Sequence, residues 1–171
     1  MNITPYQHCA CQHMSNKHSL CADSLTFREK GKQVRLVPRN REQAIAVVLD
    51  GCVLQDEQLK CDGLFLWHGR NKKAAVLVEL KGANHIAHAF EQLAYVQQNR
   101  LEYQDLLAAL GALPGGAPTQ LAVIVSNGML GRADHERLEK AHGIRVRAIV
   151  HSEATSPIPD IRAEILATKS V

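Results

Sequence analysis

Apolar runs separated by short polar turns organise most of this chain. QVRLV (33–37) reads as a short strand before Pro38. QAIAVVLDGCVL (43–54) is rich in β-branched residues and carries Gly51 near its end, which favours a strand. After the polar turn QDEQLK (55–60), CDGLFLWHG (61–69) holds enough Leu, Phe and Trp for a second strand. GRNKK (69–73) is a turn, and AAVLVELK (74–81) is a buried strand. Three strands joined by short turns predict an antiparallel meander.

Helical periodicity begins after Gly82, with Asn84 as the expected N-cap. Ile86, Phe90, Leu93, Ala94, Leu106, Leu107 and Leu110 then mark one or two amphipathic helices over 85–110. LPGGAP (113–118) is a loop, and QLAVIVSNG (120–128) is a buried strand with a turn. RADHERLEKAH (132–142) is a charged helix closed by Gly143, and IRVRAIV (144–150) is a last strand. IRAEILATK adds a short C-terminal helix. The class is α/β (α+β): a mixed central sheet containing the meander, with helices packed on its faces. Residues 1–25 form an irregular Cys/His-rich segment, with a short helix ending near Cys21, and 26–171 form one domain.

Composition narrows the class. The 171 residues are 46% hydrophobic and 22% charged, as in a globular domain long enough for its own core. Ala44–Leu49, six residues, is the longest apolar run, against about 20 for a membrane span. The first residues offer no apolar leader, so a cytoplasmic location is expected. In that compartment the five cysteines are expected as free thiols, metal ligands or core filler. The net charge of +3 is weak, but residues 28–41 alone carry +5. Arg28, Lys30, Lys32, Arg35, Arg39 and Arg41 are therefore candidates for contacting phosphates.

The residues that carry chemistry are Asp62, Glu79 and Lys81. Glu79 and Lys81 lie two apart on one strand and leave the same face. A hairpin turning at 69–73 pairs residues whose numbers sum to about 141–143, which brings Asp62 level with about residue 80. Two carboxylates and a lysine thus converge at one sheet end. Close carboxylates repel unless a cation separates them, and oxygen ligands suit Mg²⁺ or Mn²⁺. A water held there and a nearby lysine suit phosphodiester hydrolysis.

Asp62 in KCDGLF and Glu79-Leu80-Lys81 in VLVELKG resemble the PD-(D/E)XK nuclease superfamily, the restriction-endonuclease-like core. That family's core is a helix, three antiparallel strands, a helix and a further strand, and residues 45–126 match all but the first helix. The resemblance implies Mg²⁺-dependent cleavage of DNA or, less often, RNA. Asp62 and Glu79 would be metal ligands, joined by the Leu80 backbone carbonyl, and Lys81 would assist the attacking water. Cys61 stands where the family has proline, and Asp50 and Glu42 are the candidates for its upstream acid. A homodimer would fit a small nuclease that cuts both strands.

His85, His88, Gln92 and Tyr95 line one face of the following helix and are supporting candidates. RecB-like members carry Gln and Tyr there as QxxxY. Here the spacing is one residue short, so Gln92 alone is carried over. His8, Cys9, Cys11, His13, His18 and Cys21 crowd into 14 residues. With Cys52 and Cys61 they suggest a zinc or iron–sulfur site. Walker A, GxSxG and GxGxxG motifs are absent. Two competing readings are a non-catalytic nucleic-acid-binding module and a zinc-organised structural protein.

Overall fold

The computed structural model describes residues 1–14 and 18–167. Its strands are β1 (Cys21–Asp23), β2 (Thr26–Glu29), β3 (Lys32–Arg35), β4 (Glu42–Val48), β5 (Gly63–Gly69), β6 (Lys72–Lys81), β7 (Thr119–Ser126) and β8 (Val146–His151). Its α-helices are α1 (Cys11–Met14), α2 (Ile86–Asn99), α3 (Leu101–Gly111), α4 (Arg132–His142) and α5 (Arg162–Leu166). The final residues of the expected C-terminal helix lie outside the described range.

A five-stranded sheet runs in the order β4-β5-β6-β7-β8. The meander β4-β5-β6 is antiparallel, and β6-β7-β8 are parallel. The parallel pairs require crossovers, supplied by α2–α3 and by α4. Arg70 and Asn71 at the β5–β6 tip both adopt left-handed backbone, with φ of 49° and 62°. Two such residues make the type I′ turn that follows strand twist. The register from Gly63↔Val78 to Gly69↔Lys72 keeps a constant sum of 141, within the expected range.

A second antiparallel sheet, β1-β2-β3, covers one face of the first. Phe27 on β2 packs against Phe65 on β5, with ring centroids 4.5 Å apart. Gly63 makes this approach possible, because a Cβ there would stand 2.5 Å from the Phe27 ring. Pleat alternation puts Gly63, Phe65, Val76, Val78 and Leu80 on this face. Leu77, Glu79 and Lys81 leave the opposite one, where α2 and α3 pack.

Several elements differ from the sequence reading. The 43–54 strand ends at Val48. Beyond it the chain folds into a tight turn, with Gly51 at φ 79° and the Leu54 N–H donating to the Leu49 carbonyl at 2.8 Å. Asn84 is not the N-cap: 83–85 form a 3-10 turn, and the Ala83 N–H is received by Asn127 Oδ1 at 3.2 Å. Arg100 breaks α2 from α3, held extended while its guanidinium grips Asp56 at 2.6 and 2.7 Å. Residues 1–14 and 18–25, read as irregular, contain a 3-10 turn at Gln7–Cys9, α1 and β1. They are bound to the rest of the chain by an Ala10↔Val47 bridge.

The cysteines require a correction. Cys9 is bonded to Cys52 and Cys11 to Cys21, leaving only Cys61 free and buried. The expectation of unpaired thiols fails because Ala10 pairs beside Val47 and β1 folds back near α1, which brings sequence-distant sulfurs together.

Candidate active site

The C-terminal end of β6 and the residue preceding β5 meet at one edge of the large sheet. Asp62 and Glu79 interlock there through backbone donors. The Leu80 N–H donates to Asp62 Oδ2 at 2.7 Å, and the Asp62 N–H donates to Glu79 Oε2 at 3.0 Å. In an extended strand a residue's N–H and C=O leave by the same edge, so the Leu80 carbonyl also leaves toward Asp62. Lys81 Nζ lies 2.7 Å from Glu79 Oε1.

Electrostatics mark this cluster. Glu79 is 1% exposed, and burial pushes its pKa up to about 8, with the Asp62 charge adding to the rise. Burial likewise raises Asp62 to about 7, with Glu29 and Asp50 contributing. Burial works against the Lys81 charge, but Glu79, Asp62 and Glu29 together raise the ammonium's pKa. The partner of the buried Glu79 Oε1 is the Lys81 ammonium. A buried carboxylate beside a second carboxylate offers oxygen donors of the kind a hard divalent cation takes.

Two depressions flank the cluster. One, of about 450 Å³, is lined by Glu29, Lys30, Lys32, Lys81, His85 and His88. The other, about 80 Å³, is lined by His18, Arg28, Glu29, Asp50 and Asp62, among others. His85 and His88 thus border the site as expected, although His88 is engaged by Glu91 at 3.0 Å. Gln92 Nε2 donates to the Lys60 carbonyl at 2.6 Å, and Tyr95 O–H donates to Gln58 at 2.8 Å. Both side chains hold the loop that delivers Asp62.

The upstream acid candidates separate. Asp50 borders the site, half-exposed and paired with Lys60 at 3.3 Å. Glu42 does not reach it. It pairs with Gly69, whereas the site lies beyond Val48↔Gly63, about 20 Å away along the strand. There Glu42 binds Arg162, Trp67 Nε1 and the Arg39 N–H, which together hold its carboxyl down at about 2. The basic segment divides as well. Arg28, Lys30 and Lys32 line the depressions. Arg35 sits at the far end of the β2–β3 hairpin, opposite Thr26, and Arg39 and Arg41 precede β4 at the Glu42 end.

Glu29 escaped the sequence reading. It is the one acid inside the +5 segment, and the β2–β3 turn at Lys30 and Gly31 carries it to both depressions. The signal was the EKGK turn, in which Gly31 takes φ 78°. The proposed zinc set of Cys9, Cys11, Cys21, Cys52 and Cys61 does not assemble. Four of these are disulfide-bonded, and Cys61 lies beside Asp62, where burial pushes its thiol pKa well up.

Comparison with protein-family models, curated proteins and solved structures finds no match to this chain.

Proposed function

We propose that this protein is a metal-dependent nuclease that hydrolyses phosphodiester bonds, with Asp62, Glu79 and Lys81 as its catalytic residues. The observation that carries the proposal is buried Glu79, tied to Asp62 through the Asp62 N–H and with Lys81 Nζ 2.7 Å from its Oε1. The Asp62 charge raises the Glu79 pKa, and a divalent cation between the two acids would relieve that repulsion. The two carboxylates offer oxygen donors, which suit Mg²⁺ or Mn²⁺. The Asp62 and Glu79 carboxylates would hold the ion, and the Leu80 carbonyl leaves toward the same place. Such an ion supplies charge stabilisation at the reacting phosphate and a more acidic water.

The chain's own residues supply the rest. Lys81 orients the attacking water and offsets charge developing on the phosphoryl oxygens. A bond forms from water oxygen to phosphorus while the ester P–O bond opposite it breaks. The water's proton leaves to solvent, and the leaving oxygen is protonated from solvent. Lys30 and Lys32, in the depression shared with Lys81, bring the strand's phosphates to the site. DNA is the favoured substrate over RNA.

The test is cleavage of labelled DNA and RNA with Mg²⁺ by the wild type and by Asp62→Asn. Loss of cleavage in the variant supports the reading. Binding without cleavage by the wild type, under any divalent cation, would leave a non-catalytic nucleic-acid-binding module instead.

A further inference from the structure

Away from the carboxylates, a ring nitrogen of His8 and the sulfurs of Cys9 and Cys52 lie within 4.8 Å of one another. A disulfide needs no third polar group, so the imidazole's presence asks for a reason. The ring is also held as a ligand would be. His8 Nδ1 lies 3.2 Å from the Pro5 carbonyl, which can only accept, so Nδ1 is the donor in this contact and Nε2 is the nitrogen left for a metal. Metal-ligating histidines characteristically donate their second ring N–H to such a carbonyl.

The backbone positions both cysteines independently of their bond. The Cys9 N–H donates to the Tyr6 carbonyl at 2.9 Å, and the Cys52 N–H donates to the Leu49 carbonyl at 3.3 Å. The Ala10↔Val47 bridge ties the two segments together. Their Cα atoms, 5.7 Å apart, would therefore stay close after the S–S bond is cut. Tetrahedral zinc, with Zn–S near 2.3 Å, needs its sulfurs about 3.8 Å apart, which side-chain rotation across that gap provides. A surface depression lined by Gln7, His8, His13 and Met14 leaves room for water as a fourth ligand.

We propose that His8, Cys9 and Cys52 form a zinc site in the reduced protein, and that the Cys9–Cys52 disulfide is the oxidised form of that site. A dithiol reductant supplies two electrons, the Cys9–Cys52 bond breaks to two thiols, and the reductant leaves as its own disulfide. Zinc then displaces the two thiol protons to solvent. The Cys11–Cys21 pair takes no part.

The test uses the full chain without a histidine tag, stripped of metal and offered Zn²⁺ alone. Bound zinc is counted by mass spectrometry in the oxidised protein and after reduction by a phosphine, which does not compete as a thiol would. Asp62 and Glu79 are the same in both states, so the difference reports the cysteines. Reduction should add about one zinc per chain. Cobalt in its place should show a thiolate charge-transfer band. Cys52→Ser should abolish the gain, His8→Ala should weaken it on the order of 100-fold, and Cys11→Ser with Cys21→Ser should keep it. No gain on reduction, or a gain that survives Cys9→Ser and Cys52→Ser, overturns the proposal. Should Cys52→Ser not fold, the wild-type difference and the exposed His8→Ala variant still decide.

Discussion

Asp62 and Glu79 are acids whose charged forms the fold disfavours, and this gives the metal-free protein a pH dependence of definite sign. Both pKa values are raised by burial, to about 7 and about 8, from ordinary values of 3.8 and 4.5. Between those limits the native state binds more protons than the unfolded state, so stability falls as pH rises from about 4 to about 8. Thermal melts in EDTA should show this decline, and Glu79→Gln should flatten it. Mg²⁺ should raise the melting temperature at pH 8 and have little effect at pH 5, where protons occupy the carboxylates. A melt that is flat or rises with pH would contradict the placement of these acids. The same trio was legible in the sequence because a hairpin register is local and needs only the turn position. Glu42 misled because β4 runs antiparallel to β5, so the start of β4 lies at the far end of the sheet from Asp62. Glu29 stayed hidden within a segment read for its positive charge alone.

At the scale of elements, the site depends on how closely β2 and β3 lie over β5. Gly63→Ala would force a Cβ into the Phe27 ring, a contact of 2.5 Å between buried groups. Overpacking of this kind costs about 1–3 kcal/mol. Denaturant melts should show that loss, together with reduced cleavage as Glu29 and Lys30 shift from Asp62. An unchanged midpoint would mean that the two sheets do not bear on one another here. The central strands and long helices were legible because their apolar periods are extended. β1 and β2 were not, since strands of three and four residues are too short to show a period. The break at Arg100 is tertiary in origin, set by Asp56 more than 40 residues away, which no local pattern encodes.

For the whole molecule, the +5 segment is not one surface. Arg28 and Lys30 stand by the site, and Arg39 and Arg41 at the opposite end of the sheet. Replacing Arg28 and Lys30 with alanine should weaken nucleic-acid binding and lower the salt slope by about 2, at about 0.9 per lost phosphate contact. Arg39→Ala with Arg41→Ala should leave the slope unchanged, and equal effects of the two pairs would mean that charge alone governs binding. No helix among the described residues is long and apolar enough to cross a membrane. The expected cytoplasmic location implied unpaired cysteines, and the two disulfides run against that consequence. The central claim is that Lys81 serves phosphodiester cleavage beside two metal-binding carboxylates. Its most direct test is single-turnover nicking of supercoiled DNA in Mg²⁺ by the wild type and by Lys81→Ala, purified identically. The wild type should nick, EDTA should stop it, and Lys81→Ala should be slower by about 10²-fold or more. Equal rates for the two proteins, or nicking that persists in EDTA, would contradict the account.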